Sequence, residues 1–130
     1  MTEKELTQKF DIRIHTFDSE EFEDEDEAFY ISELRTMFIS NKIAQEDRVQ
    51  VMLHELGHKG HLPHLYKIHR EKYELQANRN MIHHLLKEEL SDCDDHENFN
   101  YIQFMQKYKL KTIADEAMVK EELYHLANIV

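Results

Sequence analysis

The stretch Val49-Gln50-Val51-Met52-Leu53-His54-Glu55-Leu56-Gly57-His58 sits at the centre of the chain. Val49, Met52, Leu53 and Leu56 recur at offsets 0, 3, 4 and 7, the apolar stripe of an amphipathic helix. That helix is expected over 44–59, with Glu46 and Asp47 in the first turn, where the helix dipole favours negative charge. A second stripe at the same offsets, Val51, His54, Glu55 and His58, predicts a helix facing inward on two sides. Within it, His54-Glu55-Leu56-Gly57-His58 matches HExxH. Residues four apart stack on one helical face, so both imidazoles can reach one metal ion. Glu55, about 100° round the helix from His54, can hold a water carried by that ion. A shuffle of this composition yields about 0.1 such matches, so the motif needs support from its surroundings.

Support comes from a second helix, expected over 67–89 with Ala77, Met81, Ile82, Leu85 and Leu86 on its buried side. Glu74 shares a face with Asn78, Met81 and Leu85 at offsets 0, 4, 7 and 11, which directs its carboxylate toward the core. A carboxylate there must be neutralised or find a cation, and zinc would be that cation. Asn78, one turn later, can accept a proton from the non-ligating nitrogen of a ligand His and so fix its tautomer. His64 is a rival third ligand, standing six residues after His58 as in HExxHxxGxxH. That pattern needs glycine at 61, but the chain has His61 there and Gly60 one place early, so Glu74 is favoured over His64. His61 and His64 then line the mouth of the site or lie in solvent.

Working outward, Gly57, Gly60 and Pro63 are the whole supply of glycine and proline and fall within seven positions. The sharpest turn therefore follows the HExxH helix, and Gly60 and Pro63 are expected to stop it. Upstream, 12–17 alternates as a strand, 18–27 is an acidic loop, and 28–32 with 36–40 reads as a hairpin or two neighbouring strands. Downstream, helices are expected over 99–108, with Tyr101, Phe104, Met105 and Tyr108 on one face, and over 115–128, with Val119, Leu123 and Leu126. The order is α+β: a small antiparallel or mixed sheet, then about four helices.

Composition limits the function. A chain of 130 residues fits one domain spanning 1–130. The net charge of −11 repels phosphate backbones, which argues against direct nucleic-acid binding. No apolar run approaches the ~18 residues of a membrane span, and the first ten residues lack the apolar stretch of a secretory signal. One cysteine, Cys93, excludes internal disulfides and reads as a loop thiol, so a cytoplasmic address is expected.

With His54, Glu55, His58 and Glu74-Leu75-Gln76-Ala77-Asn78 in view, the chain resembles the ImmA/IrrE-like metallopeptidases of bacteria, phages and mobile elements over roughly 28–90. In that family an HELGH helix precedes a helix carrying E-x-x-A-N or E-x-x-A-D. The resemblance implies a zincin-like fold and a gluzincin-type zinc site, with His54, His58 and Glu74 as ligands and Glu55 as catalytic base. It also implies a zinc-dependent endopeptidase acting on a specific partner, a helix-turn-helix repressor of a phage or mobile element, by Glu-assisted attack of zinc-bound water. The transition state would need a further donor, for which His61, His64, Tyr124 and His125 are candidates. Tyr101, Tyr108 and Tyr124 also lie on apolar helix faces and read as core. The competing reading is a non-proteolytic antirepressor or toxin-type binding protein that keeps the metal site and sequesters its partner.

Overall fold

Thr2-Glu3-Lys4-Glu5 begins the first helix by capping it. The Thr2 hydroxyl accepts from the Glu5 N–H at 3.1 Å, and α1 runs over Glu3–Phe10 before Asp11 turns the chain with φ 51°. The sequence carries no pattern that predicts an element here. α1 buries one apolar residue, Leu6, so it carries no periodic signal.

In this computed structural model, which describes residues 1–18, 27–61 and 65–127, three strands follow: β1 Arg13–Phe17, β2 Ala28–Ile31 and β3 Thr36–Ser40. β3 is central, pairing parallel with β1 and antiparallel with β2, so the sheet is mixed. A short 3₁₀ turn over Ser32–Leu34 and a left-handed Arg35 close the β2–β3 connection. Alternation divides the faces of β3. Met37 and Ile39 are fully buried. On the other face Phe38 stacks on Phe29 with centroids 5.0 Å apart, and the His15 ring meets Phe38 edge-on at 5.5 Å. Most of the acidic stretch 18–27 lies outside the described residues.

α2 spans Arg48–Leu56 and packs against β2, β3 and α1, with Met52 and Leu53 fully buried. Burying such a side chain contributes about 1.5–3 kcal/mol. The helix is shorter than the expected 44–59. Glu46 and Asp47 lie in a 3₁₀ turn that precedes it, and the α-helical ladder ends at Leu56, with Gly57 as the C-cap. Beyond that, His58 N–H bonds to the Glu55 carbonyl and Lys59 N–H to the Leu56 carbonyl, the tighter i→i−3 pattern. Glycine at 57 weakens the α-helix where it is least supported. The buried stripe also differs by one residue: Arg48 is buried, whereas Val49 is half-buried. Arg48 can be buried because Glu3 accepts from its Nε at 2.8 Å and Thr16 accepts from its guanidinium at 3.1 Å.

α3 runs over Tyr66–Ser91, close to the expected 67–89, with non-helical backbone at His69 (φ −110°, ψ 20°) that kinks its first turn. The chain divides into two compact units, Met1–Ala77 and Asn78–Val130, with the boundary inside α3. In the second unit α3 buries Met81, Ile82, Leu85, Leu86 and Leu90. α4, Tyr101–Lys107, is capped by Asn100 and buries Phe104 and Met105. α5, Ile113–Ala127, begins at Thr112, whose hydroxyl accepts from the Asp115 N–H, and buries Met118, Val119 and Leu123. Tyr101 and Tyr108 are half-buried, as their helix face suggests, but Tyr124 is exposed rather than core. Cys93 lies in the loop after α3, its thiol donating to the Asp95 carbonyl at 3.3 Å. The described residues thus form an α+β chain of a three-stranded mixed sheet and five α-helices. No helix among them is long and apolar enough to cross a membrane.

Candidate metal centre

Three donors converge in the first unit. His54 is carried by the last turn of α2, and His58 by the tight turn that follows it. Glu74 comes from α3, twenty residues after His54. The two rings lie edge to face with centroids 5.1 Å apart. His54 Nε2 is 3.0 Å from Glu74 Oε2, and His58 Nε2 is 3.4 Å from Glu74 Oε1. One ligand atom from each lies within 4.8 Å of the other two. Ligand atoms at tetrahedral positions around a zinc ion stand about 3.4 Å apart, so the spacing and the N, N, O donor set fit one divalent cation.

Tyr66 completes the carboxylate's surroundings by donating its hydroxyl proton to Glu74 Oε1 at 2.5 Å. In a straight helix, residues eight apart are separated by about 12 Å along the axis. The kink at His69 folds the first turn of α3 back far enough for the contact. Sequence spacing alone does not bring Tyr66 to Glu74, because the contact depends on that kink.

The electrostatics follow from these contacts. Burial lowers the His58 pKa from its ordinary value; Glu74 pulls the other way, while His54 and His61 reinforce the lowering. Burial alone would raise the Glu74 carboxyl. The Tyr66 hydrogen bond and then the His58 and His54 imidazoles outweigh it and hold the group below the usual carboxylate range. The Tyr66 phenol is correspondingly raised, first by its hydrogen bond to Glu74.

The other candidates are distributed unevenly. Glu55 is half-buried on α2 directly after His54, and Asn78 is half-buried one turn beyond Glu74 on α3. His61 is half-buried beside His58, and its ring stacks on Tyr73 with centroids 3.9 Å apart and 5° between planes. Its Nδ1 lies 3.1 Å from His58 Nδ1, and its Nε2 lies 2.7 Å from Gln76 Oε1. His64 lies outside the described residues. Tyr124 and His125 are on α5, their rings in contact with each other at 5.8 Å.

A family model, Peptidase_M78, described as the IrrE N-terminal-like domain, matches residues 7–120. No curated protein and no solved structure matches the chain.

Proposed function

Because the chain belongs to the Peptidase_M78 family of IrrE N-terminal-like domains, a family of metallopeptidase type, we propose that it is a zincin-like, zinc-dependent endopeptidase with its centre at His54, His58 and Glu74. The observation that carries this reading is the convergence of two imidazoles, from the end of α2 and the turn after it, on one carboxylate from α3, at 3.0 and 3.4 Å. Three protein donors leave a position open, the arrangement of catalytic rather than structural sites. A bound zinc ion would supply a Lewis acid and acidify water there.

The chain's own residues do the rest. Glu55 accepts a proton from the attacking water and returns it to the leaving amine, the work of a general base that becomes a general acid. Tyr66 holds the Glu74 carboxylate toward the imidazoles and helps keep it ionised. The substrate we propose is a helix-turn-helix repressor of a phage or mobile element, in the cytoplasm. A net charge of −11 favours encounter with a basic, DNA-binding partner and disfavours DNA itself.

Glu55→Gln tests the reading. Zinc binding and repressor binding are expected to survive, while cleavage of the repressor falls by about 10²–10⁴-fold, the usual contribution of a general base. Cleavage is followed by mass spectrometry of the products and derepression by a reporter. Derepression by the variant at the wild-type level would assign the chain to partner sequestration instead.

A further inference from the structure

His61, Gln76 and Tyr73 are not used by the chemistry above, yet they form an ordered chain that ends on His58. Gln76 Oε1 can only accept, so at 2.7 Å the proton between it and His61 belongs to His61 Nε2. A neutral imidazole with its proton on Nε2 presents a bare lone pair at Nδ1. That lone pair lies 3.1 Å from His58 Nδ1, so His58 Nδ1 carries the proton of this second hydrogen bond. His58 is then left with its own lone pair at Nε2, the nitrogen 3.4 Å from Glu74 Oε1. A lone pair facing a carboxylate oxygen is unfavourable unless a cation lies between them. The stack of His61 on Tyr73 holds the relaying ring in plane, and Gln76 and Tyr73 both come from α3, the helix that supplies Glu74.

We propose that His61 is a positioning residue that fixes the tautomer and orientation of His58 through the relay His58 Nδ1–H to His61 Nδ1 and His61 Nε2–H to Gln76 Oε1, so that Nε2 of His58 is offered to the metal. The inference rests on the metal-centre reading above and deepens it. The relay couples the turn after α2 to α3, so the second helix supplies one ligand directly and aligns another through His61. Groups that orient a ligand imidazole in this way typically change metal affinity by about 10- to 100-fold when removed.

The full chain and its variants are titrated with zinc against a chromophoric chelator, and the ¹⁵N-labelled, zinc-loaded wild type is examined by NMR. Wild type is expected to bind one ion. His61→Phe keeps a ring for Tyr73 but has no acceptor, and is expected to bind zinc about 10- to 100-fold more weakly. His61→Asn restores an acceptor at the Nδ1 position and is expected to recover most of the affinity. Gln76→Glu, which can still accept, should bind more tightly than Gln76→Leu. In the wild-type spectrum the His58 Nδ1 proton should exchange slowly and show coupling across the hydrogen bond to His61 Nδ1, a signature that a merely structural His61 would not give. If wild type binds zinc but His61→Phe binds it equally well, or the coupling is missing, this inference is overturned while the metal centre stands. A wild-type chain that takes up no zinc overturns both.

Discussion

One oxygen of Glu89 on α3 accepts from two groups at the end of α4, the Lys107 ammonium and the Tyr108 hydroxyl, the latter at 2.8 Å. Burial alone would raise this carboxyl, but the Lys107 and Tyr108 hydrogen bonds hold it below its ordinary value. A carboxyl with a depressed folded-state pKa contributes stability that is present above the unfolded value of about 4.3 and is lost as pH falls through the folded value. Glu89→Gln is therefore expected to cost about 1 kcal/mol near pH 7, and the gap to wild type should close as the pH is lowered below about 4. Urea unfolding at a series of pH values checks this, and a gap that does not change with pH would remove Glu89 from the account. At the same scale, the three donors that the structure brings together were legible because a spacing of four sets His54 and His58 on one side of α2 and the turn that follows it, and helical spacing sets Glu74 with Met81 and Leu85. The contacts of His61, and Tyr66 altogether, were not. His61 sits in a turn, where no periodicity constrains direction, and its acceptor Gln76 is fifteen residues away. Tyr66 reaches Glu74 only through the backbone departure at His69.

Elements were legible where apolar repeats are long and illegible where a few polar contacts suffice. The β-strands and α3 to α5 lie within two residues of their expected positions: α3 to α5 and β3 each bury two or more residues, whereas β1 and β2 bury one each, Phe17 and Ala28, and are marked by β-branched and aromatic residues instead. α1 has no such pattern: it is held by one buried side chain, Leu6, and by the polar contacts of Glu3. One oxygen of that carboxylate accepts from Arg48 Nε at 2.8 Å and the other from Gln45 Nε2 at 2.9 Å, tying α1 to the start of α2. Removing Glu3 leaves a buried guanidinium with only part of its hydrogen bonding, whereas removing Arg48 takes away the charge that needs a partner. Glu3→Ala is expected to destabilise the chain by about 1–3 kcal/mol, and Arg48→Met, which fills the space with apolar atoms, by less than about 1 kcal/mol. Denaturant midpoints of the two variants decide the order. The reverse order would mean that the arginine is valued for packing rather than for its tie to α1.

The whole molecule separates its core from its proposed chemistry. The first unit buries Leu6, Met37, Ile39, Met52 and Leu53, and the second buries Ile82, Leu86, Val119 and Leu123, all fully or nearly so. None of these is a donor of the centre, whose three side chains stay 20–37% exposed. Apolar burial on this scale supplies folding free energy without help from an ion, unlike a structural zinc domain that unfolds when its metal is removed. An ion that binds only the folded chain still adds to stability by mass action, by about 2.7 kcal/mol when its free concentration is a hundredfold above its Kd. Saturating zinc is therefore expected to raise the thermal midpoint. Chelation should return it to the metal-free value while the helical circular dichroism at room temperature stays unchanged. His54→Ala should have the metal-free midpoint with or without zinc. If chelation instead abolished the helical signal, the ion would be holding the fold together, and the open position that the peptidase reading needs would lose its physical basis.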